Sequence, residues 1–222
     1  MFTTLNIYRH VTVPYGWARL TINGLFLLVT LTIASPIIAQ EAKRVVMLGD
    51  SITAGYGLAA GEELPARLQA ALKDRGIDSL VENAGVSGDT TAGGLSRFDW
   101  AIQGKPDLIV IALGANDGLR GIDPADTRRN LTAIIERAIA LQTRVLIAGM
   151  LAPPNMGAEY AEAFNAIYPE LAAELDVMLY PFLLDGVAAD PSLNQNDGIH
   201  PNAEGAKIIA TRLADVTVPI LK

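Results

Sequence analysis

Lys43-Arg44-Val45-Val46-Met47-Leu48-Gly49-Asp50-Ser51 is the stretch on which the reading of the fold turns. Two basic residues lead into four consecutive apolar ones, followed by a glycine, an acid and a serine. An apolar run this short, ended by glycine, reads as a parallel strand buried on both faces, here Lys43 to Leu48. Asp107 to Leu113 repeats the pattern and enters Gly114, and Arg144 to Met150 repeats it again. Ser79 to Glu82 and Val177 to Tyr180 read as two further strands. Helical spacing fills the intervals. Glu62 to Arg75 carries Leu64, Leu68, Ala71 and Leu72 on one face, and Gly76 closes it. Thr90 to Ile102, Pro124 to Leu141 with Asp123 as its cap, Glu159 to Leu175 and Asn202 to Ala214 complete the set. Strands alternating with helices of this length predict an α/β domain: three layers, with about five parallel strands between helices.

That architecture says where function belongs. In open parallel sheets, functional groups gather outside the carboxyl ends of the strands. The turns there are Gly49-Asp50-Ser51, Asn83 to Thr90, Gly114 to Asp117, Met150 to Asn155, and Asn194 to Pro201 before the last helix. Ser51, Gly88, Asn116, Asp197 and His200 are therefore expected to converge.

Composition narrows the chemistry. The 222 residues suit one such domain, with half of them hydrophobic and 18% charged. Zero cysteines remove disulfides, thiolate metal ligands and a cysteine nucleophile. Of two histidines, His10 falls in the N-terminal segment, so a multi-histidine metal site is not expected and no cofactor is implied.

That N-terminal segment reads as a secretory signal peptide over residues 1–39, with the domain occupying 40–222. Arg9 and Arg19 precede a stretch without charge, its dense apolar part, Leu25 to Ala34, is 10 residues long, and Ala39 supplies a small residue for cleavage. A membrane-spanning helix needs about 20 predominantly apolar residues. The alternative is an uncleaved anchor. Cleavage implies a periplasmic or secreted bacterial protein without stable membrane insertion. It would also make the chain more acidic than its formal net charge of −7, because the leader carries Arg9 and Arg19 but no acid. An acidic surface disfavours nucleic acid as a partner.

An acyl-transfer site needs a nucleophile, a base, a group to orient the base, and donors for the oxyanion. Ser51 stands one turn past the first strand, although serine there can also cap a helix. His200 lies in Asn196-Asp197-Gly198-Ile199-His200-Pro201. Gly198 permits a sharp turn, so that Asp197 can reach one ring nitrogen and leave the other facing the serine. Alternatively, Asp197 caps a turn, and His200 alone reads as a surface or core-satisfied histidine. Gly88 lets a backbone N–H approach an oxyanion closely, and the Asn116 side chain is a neutral donor.

Gly49-Asp50-Ser51-Ile52, Ser87-Gly88-Asp89-Thr90, Gly114-Ala115-Asn116-Asp117 and Asp197-Gly198-Ile199-His200-Pro201 together resemble the four blocks of the SGNH (GDSL-type) hydrolases. Order and spacing match from about residue 43 to the end. Within the family, Asn116 to Gly121 and Phe164 to Pro169 are similar to the bacterial arylesterase and multifunctional acyl-CoA thioesterase I/protease I/lysophospholipase L1 group. The resemblance implies a flavodoxin-like sheet, Ser51 as nucleophile, His200 as general base and Asp197 as its partner. It implies an oxyanion hole of the Ser51 and Gly88 backbone N–H groups with the Asn116 side chain, and a small acyl ester or thioester as substrate. Two positions depart from the family pattern: Ile52 stands for the commoner leucine, and Met156 for the tyrosine common in relatives.

Rival patterns fail on placement. Gly55-Tyr56-Gly57-Leu58-Ala59-Ala60 fits a dinucleotide fingerprint in form, but lies too far beyond the first strand. Gly85-Val86-Ser87-Gly88-Asp89 lacks the final glycine of a nucleophile elbow. A surface-binding relative without catalysis would lack a reacting residue, whereas here all are kept. Among esterases the competitor is a carbohydrate O-acetyl esterase. Leu151, Pro153, Pro154, Met156 and Tyr160 are expected to line an apolar strip that suits an acyl chain better.

Overall fold

In β1 (Lys43–Gly49), Val45 to Leu48 are completely buried, as the apolar run requires. The computed structural model describes residues 41–222, and the leader reading lies outside them. β1 pairs in parallel with β2 (Ser79–Gly85) on one side and with β3 (Leu108–Ala112) on the other. β4 (Arg144–Ala148) and β5 (Met178–Tyr180) extend the sheet beyond β3, giving the order β2-β1-β3-β4-β5. This is the flavodoxin-like order, in which the chain winds first to one side and then to the other, with its switch point between β1 and β3. Successive side chains of a strand point to opposite faces. All five residues of β3 are buried, so both faces of the sheet are covered.

The cover consists of helices. α1 (Ser51–Ala54) and α2 (Leu64–Asp74) follow β1, and α3 (Thr91–Ser96) and α4 (Phe98–Ala101) follow β2. α5 (Ala115–Arg120) and α6 (Pro124–Ala140) follow β3, α7 (Ala158–Glu174) follows β4, and α8 (Ala203–Leu221) closes the chain. α2 packs on α8, while α6 packs on both α3 and α7, so each layer is held internally as well as against the sheet. Among the described residues, no helix is long and apolar enough to cross a membrane.

Two helices differ from expectation. The predicted helix over Thr90–Ile102 is broken at Arg97, whose guanidinium turns back to bind the Gly49 and Ala84 carbonyls at 2.9 and 2.8 Å. The last helix runs beyond Ala214 to Leu221, because Thr217 and Leu221 continue its buried face. The Thr217 hydroxyl donates to the Leu213 carbonyl, so its burial leaves no unpaired donor.

Candidate active site

The chain leaves β1 at Gly49, and the Asp50 carboxylate caps α1 by accepting the Ile52 backbone N–H at 3.0 Å. Asp50 rather than Ser51 is therefore the cap. Ser51 stands at the first helical position with its hydroxyl released for another partner.

That partner is His200. Ser51 Oγ lies 2.8 Å from His200 Nε2, and His200 Nδ1 lies 2.8 Å from Asp197 Oδ2. An ionised carboxylate can only accept, so Nδ1 carries the proton and Nε2 turns a lone pair toward the serine hydroxyl. The Asp197 carboxylate also accepts the backbone N–H groups of Ile199 and His200 at 2.9 and 3.0 Å. These two donors, His200's first, and then the imidazole hold its carboxyl down at about 2, so it stays ionised through the neutral range. Gly198, at the tip of the loop, has φ of 70°, a conformation in which a side chain would be strained. The loop is closed at its base by a bridge between Asn194 and Pro201 and by the Gln195 N–H, which donates to the His200 carbonyl at 2.8 Å.

The remaining two predicted residues meet at Asp89. The Asn116 amide, at the start of α5, donates to the Asp89 carbonyl at 2.9 Å and lies 3.5 Å from Asp50 Oδ2. Gly88, next to Asp89, is held by its carbonyl, which accepts from Arg120 at 2.8 Å. The loop after β2 and the start of the helix after β3 are thus tied together across the switch point. Asp117 supports the pair from behind. Its fully buried carboxylate accepts the Thr91 N–H at 2.8 Å and the Thr91 and Thr127 hydroxyls at 2.5 and 3.2 Å. Asp50, Asp117 and Arg97 escaped the reading of the sequence. An acid directly after a strand is a helix-start signal that could have found Asp50, whereas nothing local marks Arg97.

With this geometry, residues 47–208 match the family described as GDSL-like Lipase/Acylhydrolase. The chain belongs to that family. Esterase TesA of Pseudomonas aeruginosa is 41% identical over 204 residues, which span 91% of this chain and 97% of the esterase. Thioesterase 1/protease 1/lysophospholipase L1 of Escherichia coli (strain K12) is 39% identical over 184 residues, or 82% of this chain and 87% of that one. The crystal structure of TesA matches with a TM-score of 0.76 at 40% identity, covering 80% of this chain and 99% of its counterpart. This GDSL-like hydrolase is thus an enzyme for carboxylic esters, built on the three-layer α/β/α SGNH fold.

Next to the Ser51 turn, this GDSL-like hydrolase has an apolar cleft of about 310 Å³ lined by Ile52, Ala115, Leu119, Leu151, Pro153, Pro154 and Ile199, among others. Leu151, Pro153 and Pro154 fall where the sequence placed them. Met156 and Tyr160 do not. They line a separate surface depression with Pro124 and Gly157, and the Tyr160 hydroxyl donates to the Ile122 carbonyl at 2.9 Å. The Pro153–Pro154 turn enters a single turn of 3-10 helix, Pro154–Met156, and carries those two residues away from the cleft.

Asp50 is 1% exposed, and burial pushes its carboxyl from the ordinary 3.8 up to about 6. A raised carboxyl pKa means that folding favours the protonated form. Its destabilising effect is absent below about pH 4, grows as pH rises from 4 to 6, and is complete above. At 1.36 kcal/mol per pKa unit, ionised Asp50 costs up to about 3 kcal/mol at neutral pH. Asp50→Asn, which keeps an oxygen for the Ile52 N–H, is expected to be the more stable chain in urea denaturation at pH 7.5. The advantage should vanish at pH 4. Equal stability at both pH values would show that the buried carboxylate carries no such cost.

Proposed function

We propose that Ser51, His200 and Asp197 act as a catalytic triad that hydrolyses acyl esters through an acyl-enzyme. The observation that carries the reading is the unbroken relay from Ser51 Oγ to His200 to Asp197, with both contacts at 2.8 Å. Ser51 Oγ attacks the carbonyl carbon as His200 Nε2 takes its proton, and Asp197 stabilises the imidazolium that results. The tetrahedral oxyanion is met by the Ser51 and Gly88 backbone N–H groups and by the Asn116 amide, which gives up its bond to the Asp89 carbonyl. His200 returns the proton to the departing alkoxide or thiolate. Water then repeats the sequence on the acyl-Ser51 ester, releasing the acid and restoring the hydroxyl.

The cleft supports a substrate class. Its lining is almost wholly apolar, which favours aryl esters, short-to-medium acyl chains or a lysophospholipid over an acetylated sugar. The names of TesA, an esterase, and of the Escherichia coli thioesterase and lysophospholipase support the same range, thioesters included. The charge-free apolar stretch before Ala39 supports export by a cleaved leader to the periplasm or outside, where acyl-CoA is not at hand.

Three measurements test the reading. Rates on p-nitrophenyl esters from acetate to decanoate should peak at medium chains and vanish in Ser51→Ala. A peak at acetate alone would favour the carbohydrate deacetylase, and an active Ser51→Ala would end the triad. Asn116→Ala should lower kcat by about 10²–10³-fold with little change in KM; an unchanged kcat would remove Asn116 from the oxyanion hole. Mass spectrometry of the protein exported from a bacterial host should place the new N-terminus at Gln40. An intact Met1 would mean a retained anchor.

A further inference from the structure

Two loops far apart in sequence carry the reacting pair, and they touch through few bonds. Ser51 sits in the turn after β1, and His200 in the loop Asn194 to Pro201. Among the described residues, two hydrogen bonds join the segment 49–61 to that loop. One is the contact of Ser51 Oγ with His200 Nε2, which the proposed reaction breaks and remakes at every turnover. The other runs from Gln195 Nε2 to the Tyr56 carbonyl at 2.7 Å.

Gln195 is built for that link. Its Nε2 donates a second bond to the Pro201 carbonyl at 3.0 Å, directly after His200, and its backbone N–H donates to the His200 carbonyl. Two carbonyls facing one terminal atom identify that atom as the amide nitrogen, since an oxygen there would meet only acceptors. The other end of the amide lies against Gly57. A side chain at Gly57 would come within 2.1 Å of Gln195 Oε1, and φ there is 74°. Tyr56, whose carbonyl Gln195 holds, carries its ring over the imidazole with 4.7 Å between centroids. One half-buried amide therefore grips the backbone directly after the histidine and anchors it to the segment that bears the nucleophile.

We infer that Gln195 is a positioning residue for the triad, fixing the separation of Ser51 and His200 through its amide bonds to Tyr56 and Pro201. The inference rests on the triad reading above. The bond persists while the serine–histidine contact is exchanged, so the loop keeps its place when Ser51 is acylated and His200 must turn to a water.

The test compares Gln195→Glu and Gln195→Met with the unaltered chain and with Ser51→Ala. Both substitutions keep the length of the side chain and remove its donors, and the first sets a carboxylate against two carbonyls. Hydrolysis of p-nitrophenyl butyrate gives kcat and KM. Inactivation by a p-nitrophenyl phosphonate reads attack by Ser51 directly, and Tm reports the fold. A misplacement near 1 Å costs about 10²-fold in rate. We therefore expect kcat and the phosphonylation rate to fall together, about 10–100-fold, more in Glu than in Met, with KM and Tm held. A kcat within about twofold of the unaltered chain in both variants would overturn the proposal. A loss confined to KM would also overturn it, because it would mark Gln195 as a substrate contact. If either variant melts below the assay temperature, Gly57→Ala, which displaces the same amide, takes its place with the same outcomes. Activity retained in Ser51→Ala would end the triad reading itself, whereas a dead Ser51→Ala beside fully active Gln195 variants would end the positioning role alone.

Discussion

The Gly49 carbonyl is where β1 ends and the sheet divides, and the catalytic edge is arranged around keeping it paired. It accepts the Val86 N–H at 3.1 Å and the Arg97 guanidinium at 2.9 Å. A buried carbonyl left without a donor is costly, so a partner at this point is a condition of the fold. The Val86 N–H meets that condition, and Arg97 adds a second donor and does more. The same guanidinium takes the Ala84 carbonyl at the end of β2 and pairs with Asp89 at 2.6 Å, beside Gly88. The ends of β1 and β2 and the Gly88 loop thus share one cation. The ion pair is largely shielded, with side-chain exposures of 16% and 18%. Its value lies less in net stability than in geometry, because removing either charge would strand the other in a poorly solvated site.

From there the order of the site follows chain by chain. Asp50 caps α1 and so frees the Ser51 hydroxyl, while Asp89 offers its carbonyl to Asn116. Asp117, fixed by Thr91 and Thr127, ties α3 to the start of α6 and holds α5 between them. Each residue named as reacting is placed by a neighbour that does not react. This division explains why an acid as deeply buried as Asp50 is kept despite its cost. Its carboxylate has acceptors for both the α1 N-terminus and the nearby Asn116 amide, which an aliphatic residue would leave unpaired.

How much of this was legible in the sequence depends on the range of the signal. The apolar runs at Val45–Leu48 and Leu108–Leu113 are local and unambiguous, so the parallel sheet and its functional edge could be read directly. The turn Asp197-Gly198-Ile199-His200 is equally local. Its acid and imidazole are three residues apart, and a glycine supplies the bend, so their contact was foreseeable from spacing. Arg97 was not foreseeable, because the helical periodicity from Thr90 to Ile102 is satisfied on either side of it. The break arises from carbonyls that are 48 and 13 positions away. Met156 and Tyr160 were misplaced for a related reason. Their apolar character was visible, but the direction of the turn at Pro153–Pro154 was not. The end of α8 was missed because Thr217 and Pro219 lower helix propensity, which burial of Thr217 and Leu221 overrides.

The same distinction separates the two halves of the site. The nucleophile turn and the Gly88 loop are welded to the sheet through Gly49, Ala84 and Arg97. The loop bearing His200 is anchored chiefly to its own flanks, through Asn194, whose amide donates to the Val187 and Asp190 carbonyls at 2.7 and 2.8 Å. A loop supported in this way has its internal shape determined locally, and Asp197 and His200 stay in register whatever the loop does as a body. Its distance from Ser51 is a different quantity, set by contacts between segments about 140 positions apart. Among the described residues, the hydrogen bonds that set it are the Ser51–His200 contact and the bond from Gln195 to the Tyr56 carbonyl. A loop of locally fixed shape, joined to the β1 turn by the Gln195 bond beside the serine–histidine contact, is the arrangement the proposed chemistry requires: the imidazole can exchange alcohol for water while the second bond stays in place.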